Sequence, residues 1–213
     1  MQLHNFFASG TSHRLRIALN LKGLDYDYVG VDLRREEHLA AAFKKLNPQG
    51  LVPALVDGEQ VLTQSPAIIE WLEERYPTPP LLPGDALGRA RVRALAAIVG
   101  CDIHPLNNRR VLVYLRQVLG CAEDDVNAWC RRWIGDGFQA LETLLREDGL
   151  RQDFCYGSQP TIADVYLIPQ LASARRFAVD LAPYAQILRV EQRCLALAAF
   201  AAAAPDRQPD YRA

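Results

Sequence analysis

The sequence predicts a small α/β domain followed by an all-helical one. Three observations predict it. Strand-type and helix-type periods alternate as far as Tyr76, a proline-rich segment then interrupts, and beyond it only the helical period recurs. Gln2 to Phe7 reads as a short strand, and Gly10-Thr11-Ser12 opens a helix. Leu15, Ile17, Ala18, Leu19 and Leu21 supply its apolar residues, and Gly23 is placed to end it. Tyr26 to Leu33 reads as a second strand weakened by Gly30, and Glu36 to Leu46 as a helix closed off by Asn47-Pro48. Pro53 to Val56 and Val61 to Thr63 are strands around the hairpin turn Asp57-Gly58. Ser65 stands where an N-cap belongs, with Pro66 at the first helical position. Ile68, Ile69, Leu72 and Tyr76 form the buried stripe of that helix, with Glu70, Glu73 and Glu74 outside.

The predicted order is therefore β-α-β-α-β-β-α. Pro77-Thr78-Pro79-Pro80 through Pro83-Gly84 reads as a linker, dividing residues 1–82 from residues 88–213. In the second part Val92, Leu95, Val99, Ile103 and Leu106 repeat at helical spacing, as do Val126, Trp129, Trp133, Phe138, Leu141 and Leu145. Pro105 is expected to kink the first of these helices, because it cannot donate to the carbonyl of Cys101. Thr161-Ile162-Ala163-Asp164 resembles a capping box with Asp in place of Glu or Gln, so Asp164 is expected to be a structural cap. The polar tail from Pro205 is expected to be irregular.

Composition narrows the function classes. At 213 residues the chain can bury about 70% of its surface, enough for a substantial core. Twenty-four basic against 25 acidic residues leave a formal charge of −1, so no global charge draws it to nucleic acid or anionic lipid. Its longest apolar run, Leu195 to Ala204, falls well short of the about 18 residues of a membrane span. The N-terminus carries no signal-peptide pattern. Five cysteines form no CxxC pair, as expected of free thiols in a reducing cytosol, and they are expected to be small buried hydrophobes. Trp129, Trp133 and Phe138 are expected in the core, and His4 and His13 lack metal-type spacing, so no metal is expected. A cytoplasmic location is the expectation.

The most informative segment is the first strand-to-helix turn, Ala8-Ser9-Gly10-Thr11-Ser12-His13-Arg14-Leu15-Arg16. A helix N-terminus presents unpaired N–H groups and about half a positive charge, which favours an anion such as a thiolate. A reactive group at this turn of a β-α-β-α-β-β-α unit is the thioredoxin plan, yet no cysteine precedes Cys101. A thiol acting here must come from outside. On the turn alone, Ser9, Thr11 and Ser12 read equally as caps of a helix. Two further features suit a peptide-like thiol. Val52-Pro53 places a proline at a strand start, where a cis bond would expose the Val52 backbone. Gln64-Ser65 offers an amide, a hydroxyl and backbone N–H groups for an amino-acid head group.

With the helical second half, these residues resemble the zeta-class glutathione transferases over nearly the whole chain. That class carries Ser-Ser-Cys-Ser-x-Arg-x-Arg at the first turn, matched here by Ser9-Gly10-Thr11-Ser12-His13-Arg14-Leu15-Arg16. Asn47-Pro48, Val52-Pro53, Gln64-Ser65-Pro66-Ala67-Ile68-Ile69-Glu70, Leu81-Leu82-Pro83 and Val179-Asp180-Leu181-Ala182-Pro183-Tyr184 also look like zeta-class sequence. Cys101 through Arg110 and the Gly10-Thr11 variant of the turn look like the maleylpyruvate isomerases within it.

The resemblance implies a thioredoxin-like domain, an all-helical domain, glutathione as cofactor, and a homodimer. It implies cis-trans isomerisation of maleylpyruvate or maleylacetoacetate, small dicarboxylic keto acids. Addition of a thiolate makes the cis double bond single, rotation follows, and expulsion of the thiolate gives the trans isomer. Ser9 and Thr11, beside Gly10, are expected to share stabilisation of the thiolate. Ser12, His38, Val52, Pro53, Gln64, Ser65, His104, Asn108, Arg109 and Arg110 are implied as glutathione or substrate contacts. His104 and Asn108 are four apart, so one helix face would carry both. Arg109 and Arg176 are implied for the substrate, Arg176 as a planar, bidentate carboxylate anchor. One departure stands out: the arginine that usually precedes the first-turn serine is Ala8. Glutathione conjugation, dehalogenation of 2-halo acids, and a non-catalytic glutathione-binding scaffold are the competing readings.

Overall fold

A computed structural model describes residues 1–147 and 153–212, which fall into two compact units. One comprises residues 1–81 together with the chain from Leu195 onward, and the other Leu82–Cys194.

In the first unit the order is β1 (Gln2–Asn5), α1 (Gly10–Leu21), β2 (Asp27–Gly30), α2 (Ala41–Leu46), β3 (Ala54–Asp57), β4 (Gln60–Thr63) and α3 (Ser65–Arg75). The sheet runs β2-β1-β3-β4, with β1 and β2 parallel and the other neighbours antiparallel. This polarity matters for function. The ends of β1, β2 and β4 and the start of β3 all lie at one edge, where His4, Ala54 and Thr63 sit side by side and Asn5 pairs with Gly30. The loops that follow or precede them therefore share that edge. Leu3, Leu15, Ile17, Leu19, Leu55, Ile68 and Leu72 are wholly buried between sheet and helices.

Several boundaries differ from expectation. The first strand ends at Asn5, because Phe6 and Phe7 already turn toward α1. The second strand stops at Gly30, and the helix expected over 36–46 is two 3-10 turns, Leu33–Arg35 and Glu37–Leu39, followed by the short α2. Gln64, at φ 67°, precedes α3, so Ser65 is its first residue rather than its cap. Glu73 is buried, not outside: it pairs with Lys22 at 2.8 Å and accepts the Leu81 N–H on both oxygens. Lys22 also donates to the carbonyls of Tyr76 and Pro79, so the two charges tie down the proline segment.

The segment from Leu195 onward, expected with the helical part, packs with this unit. It carries α9 (Ala198–Ala203), which lies against α1, and a 3-10 turn, Pro205–Arg207, where irregular chain was expected.

The second unit holds α4 (Ala86–Ala97), α5 (Arg109–Gln117), α6 (Glu123–Glu147), α7 (Ile162–Arg176) and α8 (Ala185–Leu195, whose last residue already belongs to the first unit). The helix α4 continues as a π-helical stretch, Ile98–Ile103, and then ends. Pro105 thus follows a helix end instead of kinking a continuous helix. Glycine is required at 137, where an added Cβ would overlap the Ile103 side chain of that stretch. Val92, Val99, Ile103, Val126, Ile134, Phe138, Val165 and Leu171 form the core. Trp129 and Trp133 are half-buried at its border, and the Trp129 indole donates to the Leu106 carbonyl at 2.8 Å.

Asp164 is fully buried and caps α7 as expected. One oxygen accepts the N–H and hydroxyl of Thr161 at 2.7 and 2.9 Å, and the other accepts the Cys155 N–H at 2.8 Å. Glu142 of α6, 1% exposed, accepts the N–H groups of Gln186 and Ile187 at the start of α8. Of the cysteines, 130, 155 and 194 are buried, but Cys101 is exposed and Cys121 half-exposed, so the expected burial fails at those two.

Candidate active site

Ser9, in extended conformation, caps α1 by accepting the Ser12 N–H on its hydroxyl at 3.3 Å. Its Oγ lies 3.0 Å from that of Thr11, which lies 2.9 Å from the Val52 carbonyl. A hydroxyl has one hydrogen and two acceptor lone pairs, and a carbonyl only accepts. Thr11 must therefore donate to Val52, and Ser9 to Thr11. The chain of bonds runs one way: Ser12 N–H to Ser9, Ser9 to Thr11, Thr11 to Val52. Ser9 can turn its hydrogen to an incoming anion by giving up one neutral hydrogen bond. Thr11 cannot do so without releasing the Val52 carbonyl. No acidic side chain lies in the first turn of α1, so the positive end of the helix is unanswered there.

Beneath this turn Arg14 and Arg16 are buried, Arg16 completely. Burial, aided by the Arg16 charge, pushes the pKa of His13 down to about 3, which keeps the imidazole neutral and removes it from acid–base work near neutral pH. Ala8, where the family places arginine, is exposed.

The Val52-Pro53 peptide is cis, as the sequence suggested. Asn47 shapes the loop before it, donating to the Leu51 carbonyl and accepting the Gln49 N–H. Gln49 in turn accepts from the Gln64 amide at 2.5 Å, which links this loop to the start of α3. Ser65 is 2% exposed and its Oγ has no hydrogen-bond partner among the described residues, at a helix N-terminus with no acidic first-turn residue. A buried hydroxyl left unpaired beside free backbone N–H groups fits a ligand carboxylate. His38 is buried in the second 3-10 turn, and its carbonyl would lie 3.0 Å from a Cβ at Gly50, so that turn abuts the same loop. Ser9, Gly10, Thr11, Ser12, His38, Val52, Pro53, Gln64 and Ser65 thus all belong to the loops and helix starts at one edge of the sheet.

The remaining candidates lie in the helical unit. His104 follows the π-helical stretch, whereas Asn108 caps α5, its Oδ1 accepting the Arg110 N–H at 3.1 Å. A turn over 104–107 separates the two helices, so the shared helix face expected of His104 and Asn108 does not exist. Arg109 and Arg110 open α5 and are exposed. Arg175 and Arg176 end α7 and contrast sharply. Arg175 is spent on Glu191 through two bonds of 2.5 and 2.6 Å. Arg176 makes no ion pair among the described residues and stacks on the Phe177 ring at 4.6 Å. Burial of its guanidinium end lowers its pKa, and Arg116 nearby acts in the same sense, although the side chain as a whole is exposed.

The buried thiols of the chain are not suited to replace an external one. Burial pushes the Cys130 thiol up to about 11 and raises Cys155 and Cys194 as well, so all three stay protonated near neutral pH. Among the described residues no group of three His, Cys, Asp or Glu side chains comes together as a metal site would need, and no helix is long and apolar enough to cross a membrane.

A thioredoxin-like sheet whose helix N-terminus offers hydroxyls, joined to a helical unit, defines a class, and the chain belongs to the glutathione S-transferase family. Residues 8–75 match that family's N-terminal domain and residues 53–203 its C-terminal domain. The chain is similar to a maleylpyruvate isomerase of a Ralstonia species, at 64% identity over 210 residues and 99% of both chains. It is 51% identical to a maleylacetoacetate isomerase of Pseudomonas aeruginosa, over 99% of this chain and 98% of that one. Among solved structures, a maleyl pyruvate isomerase described as a bacterial zeta-class transferase, in its holo form, matches with a TM-score of 0.98 at 64% identity over 100% of both chains. A maleylacetoacetate isomerase from Methylobacterium extorquens with bound malonate and glutathione matches with a TM-score of 0.96 at 39% identity, again over 100% of both.

The residues present fit glutathione: an anion-ready helix end with a redirectable hydroxyl, and a second helix end with an unpaired buried Ser65 Oγ.

Proposed function

We propose that this protein is a glutathione-dependent cis-trans isomerase of a maleyl keto diacid, maleylpyruvate or maleylacetoacetate, acting as a cytoplasmic homodimer. The observation that carries the reading is the one-way hydroxyl chain at the start of α1, in a chain so similar to isomerases of this kind. Ser65, Gln64 and the start of α3 hold the amino-acid head group of glutathione, the Val52 backbone its middle, and His38 its glycyl end. Bound glutathione supplies the thiolate that adds to the cis double bond, permits rotation and departs unchanged.

Ser9 turns its hydrogen from Thr11 to the sulfur and stabilises the anion before addition and after expulsion. Thr11 acts through Ser9, holding it in register with Val52. The helix end contributes about 1 kcal/mol, less than one pKa unit. A charge-assisted bond from Ser9 adds about 1.5–3 kcal/mol. Together these bring a thiol of ordinary pKa about 8.5 to one largely ionised at neutral pH. Arg109, Arg110 and Arg176, without ion partners among the described residues, meet the substrate carboxylates, and stand in for the arginine replaced by Ala8.

The test is an absorbance assay on each maleyl keto acid with substoichiometric glutathione. Complete isomerisation with glutathione retained is the expected result. Glutathione lost one for one would identify a transferase. Glutathione binding with neither outcome would identify a scaffold.

A further inference from the structure

Phe6 and Phe7 connect the end of β1 to the cap of α1, and they have left the strand ladder. Their four backbone polar groups therefore need other partners, since buried groups left unpaired are costly. Side chains supply nearly all of them. The Phe6 N–H donates to the Ser12 hydroxyl at 3.3 Å. The Phe6 carbonyl accepts the Ser9 N–H at 3.0 Å and Arg16 Nη1 at 3.4 Å. The Phe7 N–H donates to Asp210 Oδ2 at 3.2 Å, and the Phe7 carbonyl accepts Arg16 Nη2 at 3.1 Å.

The two charged residues are anchored from elsewhere. Arg16, wholly buried, also donates to Asn5 Oδ1 and, through Nε, to the Ala203 carbonyl at the end of α9, each at 3.0 Å. The other oxygen of Asp210 receives the Tyr28 hydroxyl of β2. Asp210 lies against Gly30, where an added Cβ would make ordinary contact with the Asp210 Cβ at 3.6 Å. The Tyr211 ring meets the Phe7 ring edge-on at 5.4 Å.

We infer that Arg16 and Asp210 are positioning residues for Ser9, a guanidinium that holds the Phe6 and Phe7 carbonyls and a carboxylate that holds the Phe7 N–H, which together set the turn that presents the Ser9 hydroxyl. The Phe6 carbonyl is the shared point: it takes both the Arg16 fork and the Ser9 N–H, so a shift of one moves the other. Arg16 meets only neutral oxygens directly, which is an expensive way to stabilise a fold, because apolar residues of similar size commonly do as well. What two fixed charges on one dipeptide provide is a single loop geometry. A fork with five donors suits Arg16, and a lysine ammonium cannot span the same four acceptors. The inference rests on Ser9 meeting the thiolate.

The experiment compares the full chain with Asp210→Ala, Asp210→Asn, Tyr28→Phe and Arg16→Lys. It reads kcat, the KM for glutathione, the melting temperature, and the ultraviolet absorbance of the bound glutathione thiolate across pH. Asp210→Ala is expected to lower kcat about tenfold with the glutathione KM within about twofold, because a displaced reacting group loses rate before affinity. Its bound thiol should ionise at higher pH. Asp210→Asn, which keeps one acceptor for Phe7, should restore most of both. Arg16→Lys should lower kcat about 100-fold. If Asp210→Ala does not fold, Tyr28→Phe, which removes a single bond, supplies the same comparison with a loss of about threefold.

Parent-like kcat and thiolate titration in both Asp210→Ala and Tyr28→Phe would overturn the inference. So would a loss confined to melting temperature and affinity, and so would failure of the asparagine to restore function. Were the parent to isomerise neither diacid, the thiolate titration alone would still decide the matter. A parent without any thiolate signal sinks both this inference and the proposed function.

Discussion

The first turn of α1 and the arginines of the helical unit equip the protein in opposite ways. At the turn the hydroxyls are bound in one direction: the Ser12 N–H to Ser9, Ser9 to Thr11, Thr11 to Val52, with Arg16 buried beneath. Arg109, Arg110 and Arg176 are exposed and lack ion partners among the described residues. The turn supplies geometry, and the arginines supply charge held in reserve. Generating a thiolate requires one donor at one place, whereas capturing a flexible diacid requires donors able to reach it. Under the proposed function the first region would govern rate and the second substrate affinity.

The largest expected effect breaks that comparison if it fails. Ser9→Ala should lower kcat about 100-fold, as loss of one donor to a developing anion commonly does, while glutathione affinity changes little. Steady-state kinetics in both substrates check it, and a loss in KM alone would assign Ser9 to binding.

The two ends of α7 offer an internal control. Asp164→Ala removes a buried cap and should destabilise the protein by about 2 kcal/mol, read by denaturant unfolding, with kcat of the folded fraction unchanged. Arg176→Ala should raise the KM for the diacid about tenfold, with Arg176→Lys recovering only part, and leave stability unaltered. Exchange of these two outcomes would reverse the assignment of spent and available residues.

His13 sharpens the contrast through pH. Its pKa is about 3 in the folded protein against 6.5 when free, so between those values the unfolded chain binds the extra proton. Stability should therefore be at its full value above about pH 6.5 and fall on acidification by up to about 1.4 kcal/mol per unit toward pH 3. His13→Gln should flatten that slope in urea titrations at several pH values. The smallest effect is expected of Thr11→Ser, which keeps the donor to Val52: kcat within about twofold of the parent. Thr11→Val, which leaves the Val52 carbonyl without that bond, should fall between this and Ser9→Ala.

Much of this was legible in the sequence because it is local. Alternating periods, Asp57-Gly58 and the proline segment report short-range sterics, and they locate the strands and the site turn. The loops of the candidate site follow from strand polarity alone. What escaped notice is held by distant partners. Glu73 reads as a surface residue of an amphipathic helix until Leu81 and Lys22 arrive to satisfy it. Asn108 reads as a helix-face neighbour of His104 until the π-helical stretch ends the helix. Asp210 and Tyr28 carry no motif at all, and no spacing links them to Phe7.

The covering of α1 by α9 bears on how the polypeptide is made. During synthesis the whole of Leu82–Cys194 must be translated between the sheet with its first helix and the residues that complete their packing. At elongation rates of about 5–20 residues per second that interval is roughly ten seconds. For that time the nascent amino-terminal segment waits on the ribosome with one apolar flank uncovered, and Arg16 lacks the Ala203 carbonyl. Glutathione-binding competence should consequently appear only after the ribosome has passed the codons for α9, and an isolated fragment of residues 1–81 should be insoluble.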